Sequence, residues 1–318
     1  MPYTLLIGLG AGLVSAVVFA SATDGPLLVR MLLFLLTPLA LFLAGLGVGP
    51  MAAGIAGLVG TALVLVAGST TAALIFAVSQ AGPAFILTYL AALNRPVSGT
   101  TEWYPIGRIV IAAALVSGLF ATLTLLLLGG DVETVRSSLR ATIEAFVKNE
   151  LPKMPDAPAL GPDEINEATA VALALYPAAS AISTMASLLF NMWLAARITL
   201  ASGRLKRPWP DLASITYPPA APLLLAGATG AAFLSGFAGL VAAGFAGPLF
   251  FAYVLLGLAV VHYLTRGRPW RPFALWALYA ALFIMNTLAS LAIALVGLAE
   301  SIWPIRKSGP PPNQPPDS

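Results

Sequence analysis

The chain has 318 residues, 59% of them hydrophobic and only 9% charged, with a formal net charge of +3. A water-soluble domain keeps about a quarter of its residues charged, so a water-facing surface is excluded for most of the chain, and the composition is that of a polytopic membrane protein. Cysteine is absent and His262 is the sole histidine, which excludes disulfides, thiol catalysis, iron–sulfur clusters and the usual zinc ligand sets.

A membrane-spanning helix needs about 20 mostly apolar residues. By that measure spans are expected at 3–22, 27–46, 50–67, 69–92, 106–128, 168–200, 220–243, 247–265 and 272–299. That count is nine, with eight or ten its neighbours, because the segment from Arg271 to Arg306 is long enough for a kinked span or two short ones. The expected fold class is therefore all-α: one transmembrane helical bundle over residues 1–305, with the bilayer as its main partner. Although "ASA" at Ala20 to Ala22 fits a leader-cleavage site, no Lys or Arg precedes Arg30, so the first segment is expected to stay as a span.

That first span carries Gly8, Gly12, Ala16 and Ala20 at four-residue steps. Small residues at i and i+4 let two helix backbones approach closely in lipid. The stripe either packs within the bundle or docks a separate membrane protein. Further on, Gly47, Gly49 and Ala52 in "GLGVGPMAAG" match a dinucleotide-binding spacing. That spacing has meaning only after a strand in a βαβ unit, so here it is a turn between spans.

In the fourth span, Gly82 and Pro83 interrupt the helix beside Ser79 and Gln80, and a kink is expected there. "AGPAFILTYL" from Ala81 resembles "AGPLFFAYVL" from Ala246. Paired interruptions of this kind point to a transporter's binding site, unless Pro248 merely opens a helix, where proline is tolerated.

Eight of the thirteen acids lie in the loop 129–167 with only four bases, leaving that loop at −4 and the rest of the chain at +7. Within it, Val132, Val135, Leu139, Ile143 and Phe146 repeat at helical spacing. Residues 131–150 are expected to form an amphipathic surface helix, as a cover on the bundle or a gate over a cavity mouth. Arg95 and Arg108, then Arg204, Lys206 and Arg207, then Arg266, Arg268 and Arg271, fall on one side of a nine-span count. Lys and Arg collect in cytoplasmic loops, so the N-terminus is expected inside a bacterial inner membrane and the acidic loop outside. Under that count the C-terminus is outside, where Arg306 and Lys307 sit awkwardly. Residues 306–318, rich in proline, are expected to be disordered.

The sixth span, "YPAASAISTMASLLFNMWLAAR", carries Tyr176, Ser180, Thr184, Ser187 and Asn191 at steps of four, four, three and four. Amides facing acyl chains lack partners, so Gln80, Asn191 and Asn286 are expected to point into the bundle. There they, Ser180, Thr184 and Ser187 either bond neighbouring helices or line a solute cavity. Arg197, if it faced inward beside Asn191, would favour an anionic ligand.

The second half, with "FNMWLAARI", "SGRLKRPWPDL", "GLAVVHYLTRG" and "LVGLAESIWPIRK", resembles the YybS-like bacterial membrane proteins, a domain-of-unknown-function family, over nearly the whole chain. Glu300 stands where that family's ending has an aspartate. The family is grouped with substrate-capture subunits of energy-coupling factor transporters. Such subunits commonly dock a partner through an Ala-x-x-x-Ala face on helix 1, which Ala16 and Ala20 resemble. The resemblance implies a fold, not a ligand.

Two functions are consistent with these features: solute binding or transport, and organisation of other membrane components through helix 1 and the basic loops. An enzyme is not expected, since the span interiors hold no Asp or Glu. No cofactor, metal or nucleic acid is expected.

Overall fold

The computed structural model describes residues 2–23, 25–153 and 160–308. Its helices are α1 (Pro2–Ser21), α2 (Leu27–Leu36), α3 (Leu39–Gly47), α4 (Pro50–Ala67), α5 (Thr70–Phe76), α6 (Gly82–Ala92), α7 (Ile106–Leu127), α8 (Val132–Asn149), α9 (Pro162–Ala201), α10 (Ala221–Ala231), α11 (Phe237–Leu264), α12 (Arg271–Ile284) and α13 (Asn286–Ile302). A small antiparallel hairpin, β1 (Asn94–Val97) and β2 (Thr100–Trp103), joins α6 to α7. The protein is an all-α, polytopic helical membrane protein: among the described residues seven segments are long and apolar enough to cross a bilayer, and α10, α12 and α13 are shorter apolar helices.

Prolines and glycines set the breaks. Pro38 has no N–H to give the preceding turn, and the second span divides there into α2 and α3. Gly49 adopts φ +144, a conformation glycine reaches at little cost, and with Pro50 at the first helical position it makes the tight turn between α3 and α4. Pro83 removes the donor that would close the turn on Ser79, and the helix widens into a π-turn over Ala77–Ala81 immediately before it. Asp131 accepts the N–H groups of Glu133 and Thr134, capping α8.

Small residues let the helices close on one another. A methyl group added at Gly12 would come within 2.6 Å of the Ala56 carbonyl oxygen of α4, and one at Gly8 within 2.7 Å of Ile55. Gly247 packs on Ala178 of α9, while Gly257 and Gly297 bring α11 and α13 together. The central helices α7 and α11 are the most buried.

Cross-links fix which helix ends share a face. Arg204, past α9, donates to the Tyr3 hydroxyl at the start of α1 (2.9 Å). Asp211 accepts from Arg266, just past α11. Arg306, past α13, donates to the carbonyls of Ala213 and Ile215. At the opposite face Val135 and Leu139 of α8 form a small core with Leu125, Leu173 and Phe237. Because α9, α11 and α13 all end at the basic face, α10 with residues 232–236, and then α12, must carry the chain back between them. Both described ends of the chain therefore lie at the basic face.

The structure corrects the expected spans at 220–243 and 247–265. A break at residues 232–236 separates the short α10 from a continuous 28-residue α11. Pro248 therefore lies inside α11 rather than in a first turn, at the crossing where Gly247 meets α9. The segment 272–299 is a pair of helices broken at Met285. Ile305–Ser308 form a short 3-10 turn, and the remainder of the expected disordered tail lies outside the described residues.

Candidate functional site

Breaking the second span frees backbone carbonyls that must find donors, since an unsatisfied polar group in hydrocarbon costs several kcal/mol. The freed Leu35 carbonyl accepts from the Ser187 hydroxyl (2.9 Å) and from Asn191 Nδ2 (2.6 Å), both on α9. The Thr37 carbonyl accepts from the Ser15 hydroxyl of α1 (2.8 Å). The lower half of the α9 polar stripe is thus a staple across the α2–α3 break. Thr184 donates to Ser180 O and Ser180 to Pro177 O within α9. Of this stripe only Asn191 Oδ1 is buried with no partner, and in the π-turn Gln80 Oε1 is in the same state.

Asn286 departs from expectation, while Arg197 and the helix-1 stripe each fall on one side of an alternative left open. Asn286, expected to point inward, is exposed at the start of α13 beside Met285 and Leu288, because the chain turns there. Arg197 is exposed and lies over the Trp209 ring at 5.1 Å, six residues beyond Asn191 and away from it. Gly8, Gly12 and Ala16 are buried against the chain's own α4, which leaves that stripe no open surface for a partner, and Ala20 is exposed at its end.

A half-open cleft lies elsewhere. A cavity of about 840 Å³ opens at the basic face between α7, α9, α11, α12 and the loop 205–215. Its inner wall is apolar: Ile109 and Val110 of α7, Leu189 and Met192 of α9, Leu255 and Leu258 of α11. At 1.5 Å per residue, Leu255 lies about 10 Å deeper along α11 than His262. Toward the surface the wall turns polar and cationic, with Arg207, Asp211, His262, Arg266 and Arg271.

Each polar side chain at this rim has a distinct setting. Asp211 and Arg266 are paired through two hydrogen bonds. The guanidinium beside it holds the Asp211 carboxyl below the ordinary aspartate range, and the carboxylate raises Arg266. His262 Nδ1 lies 2.9 Å from the Leu258 carbonyl, which only accepts, so that nitrogen is the donor. Its Nε2 faces the Tyr279 hydroxyl at 3.4 Å. Arg207 differs: its Nη1 is buried and unpartnered, and burial pushes the guanidinium below its ordinary value.

In sequence these arginines served to set orientation and to offer basic loops to a partner, and not as part of a solute site. The overlooked signal was "RPWPD": an aromatic set between two prolines and followed by an acid in an otherwise basic loop, which rigidifies a segment that solvated charges alone would leave loose.

Apolar helices arranged this way define a multi-pass membrane protein of the helical-bundle class. Residues 13–301 match the family described as predicted membrane protein (DUF2232), and the chain belongs to that family. The YybS-like resemblance agrees with this family. No curated protein and no solved structure matches the chain.

Proposed function

We propose that this protein binds a membrane-accessible solute in the cavity at its basic face, as a solute-binding or transport component of a bacterial inner membrane. The cavity itself is the observation that carries the reading. It has the size of a small-molecule site, an apolar lining and a few convergent polar groups. The clustering of Arg95, Arg108, Arg204, Lys206, Arg207, Arg266, Arg268 and Arg271 at this face supports a cytoplasmic placement for it and for both described ends of the chain.

We read the site as a binder and not an enzyme, because its one carboxylate is engaged in an ion pair and its histidine in a contact with Tyr279, with no second carboxylate or nucleophile beside them. The resemblance to substrate-capture subunits supports the same reading. The alternative, a protein that organises partners through helix 1 and the basic loops, would have to use the exposed apolar face of α1, with Leu6, Leu13 and Val17, because the small-residue stripe packs on α4. Mass spectrometry of small molecules retained after purification in mild detergent tests the proposal. A retained species should disappear in Met192→Trp or Ala259→Trp, which fill the cavity. Identical retention by wild type and both variants would overturn it.

A further inference from the structure

Arg207 is set apart from most of the described arginines of the basic face. Arg204 bonds Tyr3, Arg266 bonds Asp211, Arg197 stacks on Trp209, and Arg306 is bound to Glu300. Arg207 instead buries a guanidinium nitrogen with no partner, and Arg271 on the same rim makes no side-chain hydrogen bond among the described residues. Arg207 is half-buried, and its innermost guanidinium nitrogen has lost water without gaining a partner, so a chain that keeps such donors at a cavity mouth is suited to an anion from outside.

The rim holds three arginines, Arg207, Arg266 and Arg271, against one carboxylate, Asp211, which Arg266 already occupies. The wall beneath them is apolar on three helices over about 10 Å of depth. A free inorganic anion would satisfy the rim and leave that wall facing nothing, whereas a neutral apolar molecule would fill the depth and leave Arg207 unpaired.

We infer that the cavity takes an anionic amphiphile, a phosphate monoester on a single apolar chain, with its head between Arg207 and Arg271 and its chain between α7, α9 and α11. This rests on the reading of the cavity as a solute site. Guanidinium groups offer planar forks of donors that match phosphate oxygens, which a point-charge ammonium does not. The two sources of such a ligand are a membrane lipid whose head is a phosphate monoester and a soluble phosphorylated metabolite with an apolar tail.

The protein is reconstituted in phosphatidylcholine nanodiscs and its thermal unfolding followed by tryptophan fluorescence with three probes: dodecyl phosphate, dodecanol and inorganic phosphate. Dodecyl phosphate should raise the midpoint, and Arg207→Gln and Arg271→Gln should each weaken that response by roughly tenfold in concentration. Dodecanol and inorganic phosphate should each act far more weakly. Equal responses to dodecyl phosphate and dodecanol, unchanged in both arginine variants, would overturn the anionic head while leaving the solute cavity standing. A response to inorganic phosphate as strong as to dodecyl phosphate would overturn the chain. No response to any probe, with Met192→Trp also without effect on retained species, would sink the cavity reading itself. If Arg207→Gln fails to fold, Arg271→Gln and the probe comparison decide. Extracting bound species from native membranes and from the washed soluble fraction then separates the lipid source from the metabolite.

Discussion

Glu300 and Arg306 form an ion pair at 2.9 Å with both side chains less than a tenth exposed. The other Glu300 oxygen accepts the backbone N–H groups of Ile305 and Arg306, and Arg306 spends its remaining donors on the carbonyls of Ala213 (2.7 Å) and Ile215 (2.6 Å). The turn after α13 is thereby fastened to the loop that walls the cavity. Removing one member of a buried pair leaves an uncompensated charge, at a cost of about 3–5 kcal/mol. Glu300→Gln and Arg306→Gln should both lower the unfolding midpoint in detergent, and Arg306→Gln should additionally open the 204–212 loop to limited proteolysis. Protection of that loop equal to wild type would contradict the fastening.

Asn191→Leu should cost roughly 1–3 kcal/mol through the loss of a bond to the Leu35 carbonyl, with Ser187 retaining part of that carbonyl's satisfaction. The response to a cavity ligand should be unchanged, since the cavity lining includes Leu189 and Met192 but not Asn191. Ligand-dependent thermal shifts measured on the variant check both halves of this expectation.

Helix 1 offers a matched pair of substitutions. Gly12→Leu drives a side chain into Ala56 and Val59, whereas Gly10 has nothing within 4 Å of its added carbon. Gly12→Leu should reduce the yield of monodisperse protein on size-exclusion chromatography and Gly10→Leu should not. Equal behaviour of the two would mean that α1 does not pack on α4 through this stripe.

Acid should loosen the cavity wall. Asp211 is lowered below its ordinary range chiefly by its bond to Arg266, so the stabilisation it contributes is present above the unfolded value of about 3.9 and is lost as pH falls through the depressed folded value. The pair is partly exposed, so its worth is modest, about 0–1 kcal/mol. Hydrogen exchange in the 204–212 loop should therefore speed up only below about pH 4, and Asp211→Asn should reproduce the loosened state at neutral pH. A loop whose exchange is insensitive to both would show that the pair does not hold it.

The chain lacks cysteine, so single cysteines can be introduced without background. Thr101→Cys, Ser202→Cys and Arg268→Cys should react with an impermeant maleimide from one side of sealed vesicles, and Ser137→Cys on α8 from the other. Labelling of Ser137→Cys from the same side as the rest would reverse the assignment of α8 to the opposite face.

Much of this architecture was written in local pattern. Hydropathy over about 20 residues identified the membrane class, proline and glycine marked the breaks at Gly49 and before Pro83, and the spacing of Val135 and Leu139 marked the surface helix. Those features are decided within a few turns of chain, by backbone donors and by the face a helix presents. The polar stripe of α9 was equally visible, but its purpose was not. Whether Asn191 met a ligand or the Leu35 carbonyl depended on a helix 156 positions away in sequence. The same holds for the place where α10 ends, a break at residues 232–236 with no proline to announce it, and for the cavity, whose wall is drawn from α7, α9, α11 and α12 together. Composition and periodicity set which surfaces must be buried; only the packed bundle decides what each buried group meets, because that is a property of helices brought together and not of any one of them.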